Sequence, residues 1–250
     1  MLTLKKSLGQ HFLKDESVCL RIIEALQIHP FTQLLEVGPG GGALTKYLID
    51  IPNIDLKLVE IDKEKIEYLS TTFSALNSKI IEGSILEIEC PFEGKFTMIG
   101  NFPYNISTQI VFKVIDWRDQ IECMIGMFQK EVAERICAGP GSKDYGIISV
   151  LTQAYFKAKY LFDVDEQAFN PPPKVKSGVI ALEFIGNVHN IQSHKKFSML
   201  VKAAFSQRRK QLRNPLKGFF EKDILKQDIF TKRAEQLSVV DFVGLLNQMK

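Results

Sequence analysis

The segment LLEVGPGGGALTKYL, residues 34–48, constrains the fold more than any other part of the chain. An apolar run broken only by Glu36 leads into a cluster of glycines, and apolar residues then recur at helical spacing. A buried strand, a tight turn and a helix satisfy all three pieces. Glycine serves where backbone must bend sharply or approach a ligand, because it has no Cβ. Gly38, Gly40 and Ala43 fit the spacing G-x-G-x-x-A. A second apolar run ends in Glu60, roughly 20 residues beyond the first glycine, where a strand-end carboxylate can take two ribose hydroxyls. The combination predicts an adenosine-containing cofactor. It does not by itself separate a nicotinamide dinucleotide from S-adenosylmethionine.

Strand and helix patterns continue along the chain. Strands are expected near residues 78–82, 95–99, 121–128 and 174–184, and FKAKYLFDV at 156–164 lies closer to a hairpin arrangement with the last of these. Helical spacing marks 107–115, 130–138 and 145–157. Ahead of the first strand, Asp15 can cap a helix carrying Val18, Ile22, Ile23 and Leu26. Alternation of this kind predicts an α/β fold, a mostly parallel sheet covered on both faces. After Ile185 the patterns are helical only, so a boundary is expected near 186–190, with domains 1–186 and 187–250.

Charge is unevenly spread. The net charge of the 250 residues is +3, yet residues 187–250 hold 13 Lys and Arg against 5 Asp and Glu. A basic helical domain on an acidic body suits a polyanionic partner, or else a solvated helical surface. No apolar run is long enough to span a bilayer, and the N-terminus lacks the apolar core of a signal peptide; a cytoplasmic protein without membrane association is expected. Cys19, Cys90, Cys123 and Cys137 form no C-x-x-C pair and have no histidine at ligand spacing, which predicts packing thiols and no metal.

The stretch IGNFPYNIST, residues 99–108, carries the chemistry. Asn101-Phe102-Pro103-Tyr104 follows a short apolar strand. The exocyclic amine of a nucleobase is a poor nucleophile, since its lone pair is delocalised into the ring. Two acceptors on its hydrogens, the Asn101 side-chain oxygen and the Phe102 carbonyl, would aim that lone pair at a methyl group. Pro103 stiffens the turn, and Tyr104 offers a face for the base. Two further features favour S-adenosylmethionine. Glu36 lies inside a strand, and a buried carboxylate needs a donor or a cation such as a methionine ammonium. A basic segment and a whole helix also precede that strand.

Taken together, these motifs resemble the ribosomal RNA adenine N6,N6-dimethyltransferases that modify small-subunit rRNA. The resemblance runs nearly end to end, through KKSLGQHFLKD (5–15), LEVGPGGGALT (35–45), VEIDK (59–63), IGNFPYNIST (99–108), MFQKEVAERICA (127–138), FNPPPKVKS (169–177) and AFSQRRKQLRN (204–214). It implies a Rossmann-like class I methyltransferase domain with a seven-stranded sheet and a small all-helical C-terminal domain. It implies S-adenosyl-L-methionine as cofactor, and dimethylation of two adjacent adenines in a hairpin loop near the 3′ end of small-subunit (16S) rRNA. The enzyme would act as a monomer in small-subunit biogenesis.

Carried over, the cofactor contacts would be His11, Leu13, Gly38, Glu60, Ser84 and Asn101, and the catalytic loop Asn101, Phe102, Pro103 and Tyr104. His11 stands where Asn is common. Ser84 stands where an Asp usually accepts from the cofactor's adenine amine, and a hydroxyl accepts more weakly. Phe169 would face the target base opposite Tyr104, or anchor its own loop in the core. Lys174, Arg208, Arg209 and Arg213, with Lys5, Lys6 and Lys176, are RNA-backbone candidates or simply solvated charges. Within the class, the rival is the erythromycin-resistance type, which dimethylates one adenine of large-subunit rRNA; FNPPPKVKS and AFSQRRKQLRN argue against it. Outside the class, the rival is a ribosome-assembly factor that acts mainly by binding.

Overall fold

The computed structural model describes residues 11–250; Lys5 and Lys6 lie outside the described residues. Strand β1 (Phe12–Leu13) leads into α1 (Glu16–Leu26), capped by the Asp15 carboxylate, which accepts from the Ser17 and Val18 amides at 2.9 and 3.4 Å. The expected apolar face, Val18, Ile22, Ile23 and Leu26, is buried. There follow β2 (Gln33–Val37), α2 (Thr45–Leu48), β3 (Asp55–Glu60), α3 (Lys63–Thr72), β4 (Ile80–Glu82), β5 (Phe96–Asn101), α4 (Ser107–Asp116) and β6 (Ile121–Gln129). Then come α5 (Lys130–Cys137), α6 (Ile147–Gln153), β7 (Phe156–Val164), β8 (Phe169–Asn170), β9 (Ser177–Phe184), α7 (His194–Phe205) and α8 (Val239–Leu246).

Seven strands form one sheet in the order β4-β3-β2-β5-β6-β9-β7, while β1 and β8 pair separately. The pairs from β4 to β6 are all parallel, and β9 runs antiparallel to β6. This is the mostly parallel seven-stranded sheet expected from the motifs. Leu34, Leu35 and Val37 are buried, as a strand covered on both faces requires. β2 has β3 on one side and β5 on the other, so the connections leave it in opposite directions. A crevice opens at the carboxyl ends of strands where the order reverses in this way.

The chain forms two compact units, and they do not divide at one boundary. Residues up to Ala133 with Ala158–Phe184 make one unit; Glu134–Lys157 with Ile185–Lys250 make the other. The 134–157 segment joins the C-terminal residues through long-range contacts, which a single split near residue 186 does not describe. Arg208 donates to the Lys143 and Tyr145 carbonyls, the Tyr145 ring meets Phe205 edge-on at 6.3 Å, and the Gly141 amide donates to the Glu235 carbonyl at 2.7 Å.

The second unit is also less helical than its patterns suggested. α7 stops at Phe205, where the Ser206 hydroxyl folds back on the Ala203 carbonyl (2.7 Å), so residues 207–210 lie in turns. The segment EKDILKQDIF forms short 3₁₀ turns at Ile224–Lys226 and Asp228–Thr231. Its apolar pairs, Ile224-Leu225 and Ile229-Phe230, recur every five residues, which makes no continuous helical stripe. α6 likewise ends at Gln153, short of the expected 157, because Phe156 already starts a strand.

Candidate active site

At the carboxyl ends of β2, β3 and β5 lies a cavity of about 220 Å³. Its floor is the glycine turn. Gly38, Gly40 and Gly42 have φ of 68°, 56° and 78°, the left-handed region that favours glycine. At Gly42 a Cβ would also come within 2.6 Å of the Phe73 ring.

Glu60 is bound into this turn. Its Oε2 accepts from the Gly40 amide at 3.1 Å, and its Oε1 from the Ile61 and Asp62 amides at 2.9 and 3.0 Å. A carboxylate offers about four lone pairs, so three are engaged and the remaining capacity lies at Oε2. The carboxylate thus shapes the turn as well as facing the cavity, with Ile61 half exposed at the rim.

Glu36 is buried within β2, and its Oε2 accepts from the Thr45 hydroxyl at 2.7 Å. Burial pushes its carboxyl up to about 8, against the Thr45 bond, and the nearby Glu60 charge adds to the rise. A hydroxyl at the start of α2 therefore satisfies the strand acid, a partner the sequence reading did not identify.

The Asn-Phe-Pro-Tyr loop is anchored by its second residue. The Phe102 ring lies against Phe128 (5.1 Å) in space left by two glycines: a Cβ on Gly100 or Gly126 would approach that ring to 2.6 or 2.4 Å. The Phe102 amide donates to the Met127 carbonyl at 3.1 Å. Side chain and amide hold Phe102 in place, and Pro103 after it restricts the turn of the peptide that carries the Phe102 carbonyl. Asn101 Nδ2 donates to the His11 carbonyl at 3.3 Å, which leaves the amide oxygen as the accepting end. The Tyr104 hydroxyl lies 2.6 Å from Ser177 Oγ, and its ring stacks with the His11 ring at 5.7 Å. Burial raises the Tyr104 hydroxyl pKa, with the Ser177 bond opposing.

Ser84 and Ile85 also line the cavity. Ser84 Oγ accepts from the Leu86 amide at 3.3 Å, and Lys113 on α4 donates to the Leu86 and Ile88 carbonyls at 3.3 and 3.0 Å. Neither Lys113 nor Ser177 stood out in the sequence, since both act through long-range contacts.

Nine of the expected residues, His11, Leu13, Gly38, Glu60, Ser84 and Asn101 to Tyr104, line this one cavity. Phe169 does not. It is fully buried in the core, in register with Leu13 across the β1–β8 pair, which is the loop-anchor alternative. Lys174 is exposed, and Lys176 pairs with Asp165 at 3.4 Å. Arg208, Arg209 and Arg213 belong to the second unit, where Arg208 holds backbone carbonyls and the other two are exposed. Among the described residues no His, Cys, Asp and Glu cluster could hold a metal ion, and no helix is long and apolar enough to cross a membrane.

An open seven-stranded sheet, a glycine turn closed by a strand-end acid and an Asn-Phe-Pro-Tyr loop at the switch point define a Rossmann-like class I methyltransferase. The chain belongs to the ribosomal RNA adenine dimethylase family, whose model matches residues 1–247. It is 51% identical to the ribosomal RNA small subunit methyltransferase A of Flavobacterium johnsoniae, over 98% of this chain and 95% of that one. The protein of the same name from Cytophaga hutchinsonii is 49% identical, over 98% and 96%. Among solved structures, a dimethyladenosine transferase from Plasmodium falciparum superposes with a TM-score of 0.81 at 25% identity, covering 96% of this chain and 99% of that one. The 23S rRNA methyltransferase ErmE shares the fold, with a TM-score of 0.72 at 23% identity over 95% and 100%.

Proposed function

We propose that this enzyme dimethylates N6 of two adjacent adenines in a hairpin loop near the 3′ end of small-subunit rRNA, using S-adenosylmethionine, as a cytoplasmic monomer. The observation that carries the reading is the Asn101 amide. Its nitrogen is held by the His11 carbonyl, so its oxygen is the end left to accept from an amine, in the cavity that Tyr104 also lines.

The donor set around the cavity fits the cofactor. Gly38 and Gly40 bring backbone close, Glu60 retains acceptor capacity for ribose at Oε2, and Ile61 and Ile85 supply apolar surface for an adenine. S-adenosylmethionine supplies an electrophilic methyl group when bound. The Asn101 oxygen and the Phe102 carbonyl take the two hydrogens of the target amine and turn its lone pair outward. Tyr104, held at its hydroxyl by Ser177, fixes the plane of the base. The methylated nitrogen then loses one proton to water, so no protein base is required. Single-stranded loops suit this geometry, because their bases can be splayed into a pocket. The basic second unit would meet RNA phosphates.

The test is to incubate the protein with labelled S-adenosylmethionine and unmethylated small subunits, and in parallel with large subunits, then map the modified nucleotides. Two dimethylated adjacent adenines in the small subunit are expected. Label in a single large-subunit adenine would favour the erythromycin-resistance type, and tight binding without label a pure assembly role.

A further inference from the structure

His11 stands where the family resemblance predicts an asparagine contacting the cofactor, and besides lining that cavity it makes contacts that lead to the catalytic loop. Nδ1 lies 2.9 Å from the Pro171 carbonyl, which can only accept, so Nδ1 carries the proton. The ring stacks on Tyr104, with centroids 5.7 Å apart and planes 28° apart. The backbone carbonyl accepts from Asn101 Nδ2 at 3.3 Å. The next residues extend the same attachment, because Phe12 and Leu13 pair with Asn170 and Phe169 across the two-stranded sheet. One residue thus links the 169–171 strand and loop to both polar members of the Asn-Phe-Pro-Tyr loop. Tyr104 is held at its far end as well, by Ser177 at 2.6 Å.

We propose that His11 is a positioning residue: its ring backs Tyr104, its Nδ1–H fixes the ring on the Pro171 carbonyl, and its held backbone sets the Asn101 amide. It acts on the reaction through Asn101 and Tyr104, the two residues its ring and carbonyl touch. An asparagine at this place could donate to Pro171 but has no ring to lay on Tyr104, so the stacking is a property of this chain's own residue. The inference rests on the methyl-transfer reading for its kinetic consequence, though not for the contacts themselves.

Two measurements on the full-length protein test it. The first needs no RNA. Nitrogen-15 labelling of the four histidines should show His11 as the Nδ1–H tautomer, with ring signals that shift when Tyr104→Ala removes the stacked ring. An Nε2–H tautomer, or signals indifferent to Tyr104→Ala, would overturn the proposal whatever the substrate. The second compares variants in single-turnover methylation of small subunits at saturating S-adenosylmethionine, with S-adenosylhomocysteine affinity measured by calorimetry. His11→Ala should slow the step about tenfold at saturating cofactor, a cost in keeping with slight misplacement of reacting groups, whatever it does to the affinity. His11→Phe, which keeps a ring face, should recover more of the rate than His11→Asn. A His11→Ala protein with weakened affinity and an unchanged saturated rate would make the residue a cofactor contact and refute the proposal. Failure of the wild-type protein to methylate small subunits would instead count against the functional reading, and the tautomer and ring signals would still judge the contacts.

Discussion

The cavity and the basic second unit handle polar groups in opposite ways. In the cavity the polar groups are held by partners within the protein: Glu60 by three amides, Asn101 by the His11 carbonyl, Tyr104 by Ser177 and a stacked ring. In the second unit Arg209, Lys210 and Arg213 lie exposed in turns beyond α7. Fixed acceptors cost no reorganisation as a reaction proceeds, which is where they yield rate. Exposed surface cations suit phosphates, which attract charge without demanding one geometry. Arg208 marks the limit of this contrast. It lies within the basic run, but its guanidinium holds the loop before α6 and so serves the fold of its own unit.

Breaking the fixed region should give the largest effects. Asn101→Ala removes one preorganised acceptor, and the single-turnover rate at saturating cofactor should fall ~10²–10³-fold while small-subunit affinity stays near wild type. Equal losses in rate and subunit affinity would mean that the residue supports binding. Glu60→Ala should weaken S-adenosylhomocysteine binding by up to about a hundredfold, the scale of charge-assisted hydrogen bonds. Part of that loss should come from a loosened glycine turn, visible as faster amide exchange at Gly40, Ile61 and Asp62. Exchange left unchanged would show that the three bonds do not hold the turn.

Smaller effects sharpen the other side. Replacing Arg209 and Arg213 together by alanine should reduce the salt slope of subunit binding by about 2 and leave cofactor affinity alone; an unchanged slope would place the RNA contacts elsewhere. The smallest effect concerns Glu36. Its folded-state pKa is raised from the ordinary value near 4.5 to about 8, so the folded protein holds a proton that the unfolded chain releases. Its stabilising contribution is full below the ordinary value and is lost as pH rises towards 8. Wild type should therefore lose Tm relative to Glu36→Gln as pH rises between those values. Parallel Tm curves for the two proteins would show that Glu36 is not buried as a neutral acid.

What was legible in the sequence was local. The glycine turn, Glu60 and the Asn-Phe-Pro-Tyr loop each lie within a few residues of the strand that carries them, and strand-to-turn spacing predicts their place. The partners that orient them lie far along the chain. Ser177 meets Tyr104 from β9, and His11 meets Pro171 and Asn101 from the N-terminal side. No periodicity encodes such pairs. Phe169 was open to two readings because a phenylalanine before a proline-rich loop suits a base or a core equally well; its burial and its register with Leu13 come from partners far along the chain. The second unit was less completely legible, for a related reason. Its short apolar pairs look helical in a window, and the 134–157 segment joins it through contacts that no window contains.

The contrast between a fixed cavity and a charge-borne RNA surface can be tested on the intact chain with one titration. Affinities for S-adenosylhomocysteine and for unmethylated small subunits are measured over the same series of salt concentrations. The account predicts that subunit affinity falls steeply and linearly with the logarithm of salt concentration, while S-adenosylhomocysteine affinity stays nearly flat. A flat subunit slope, or two slopes of similar steepness, would contradict it.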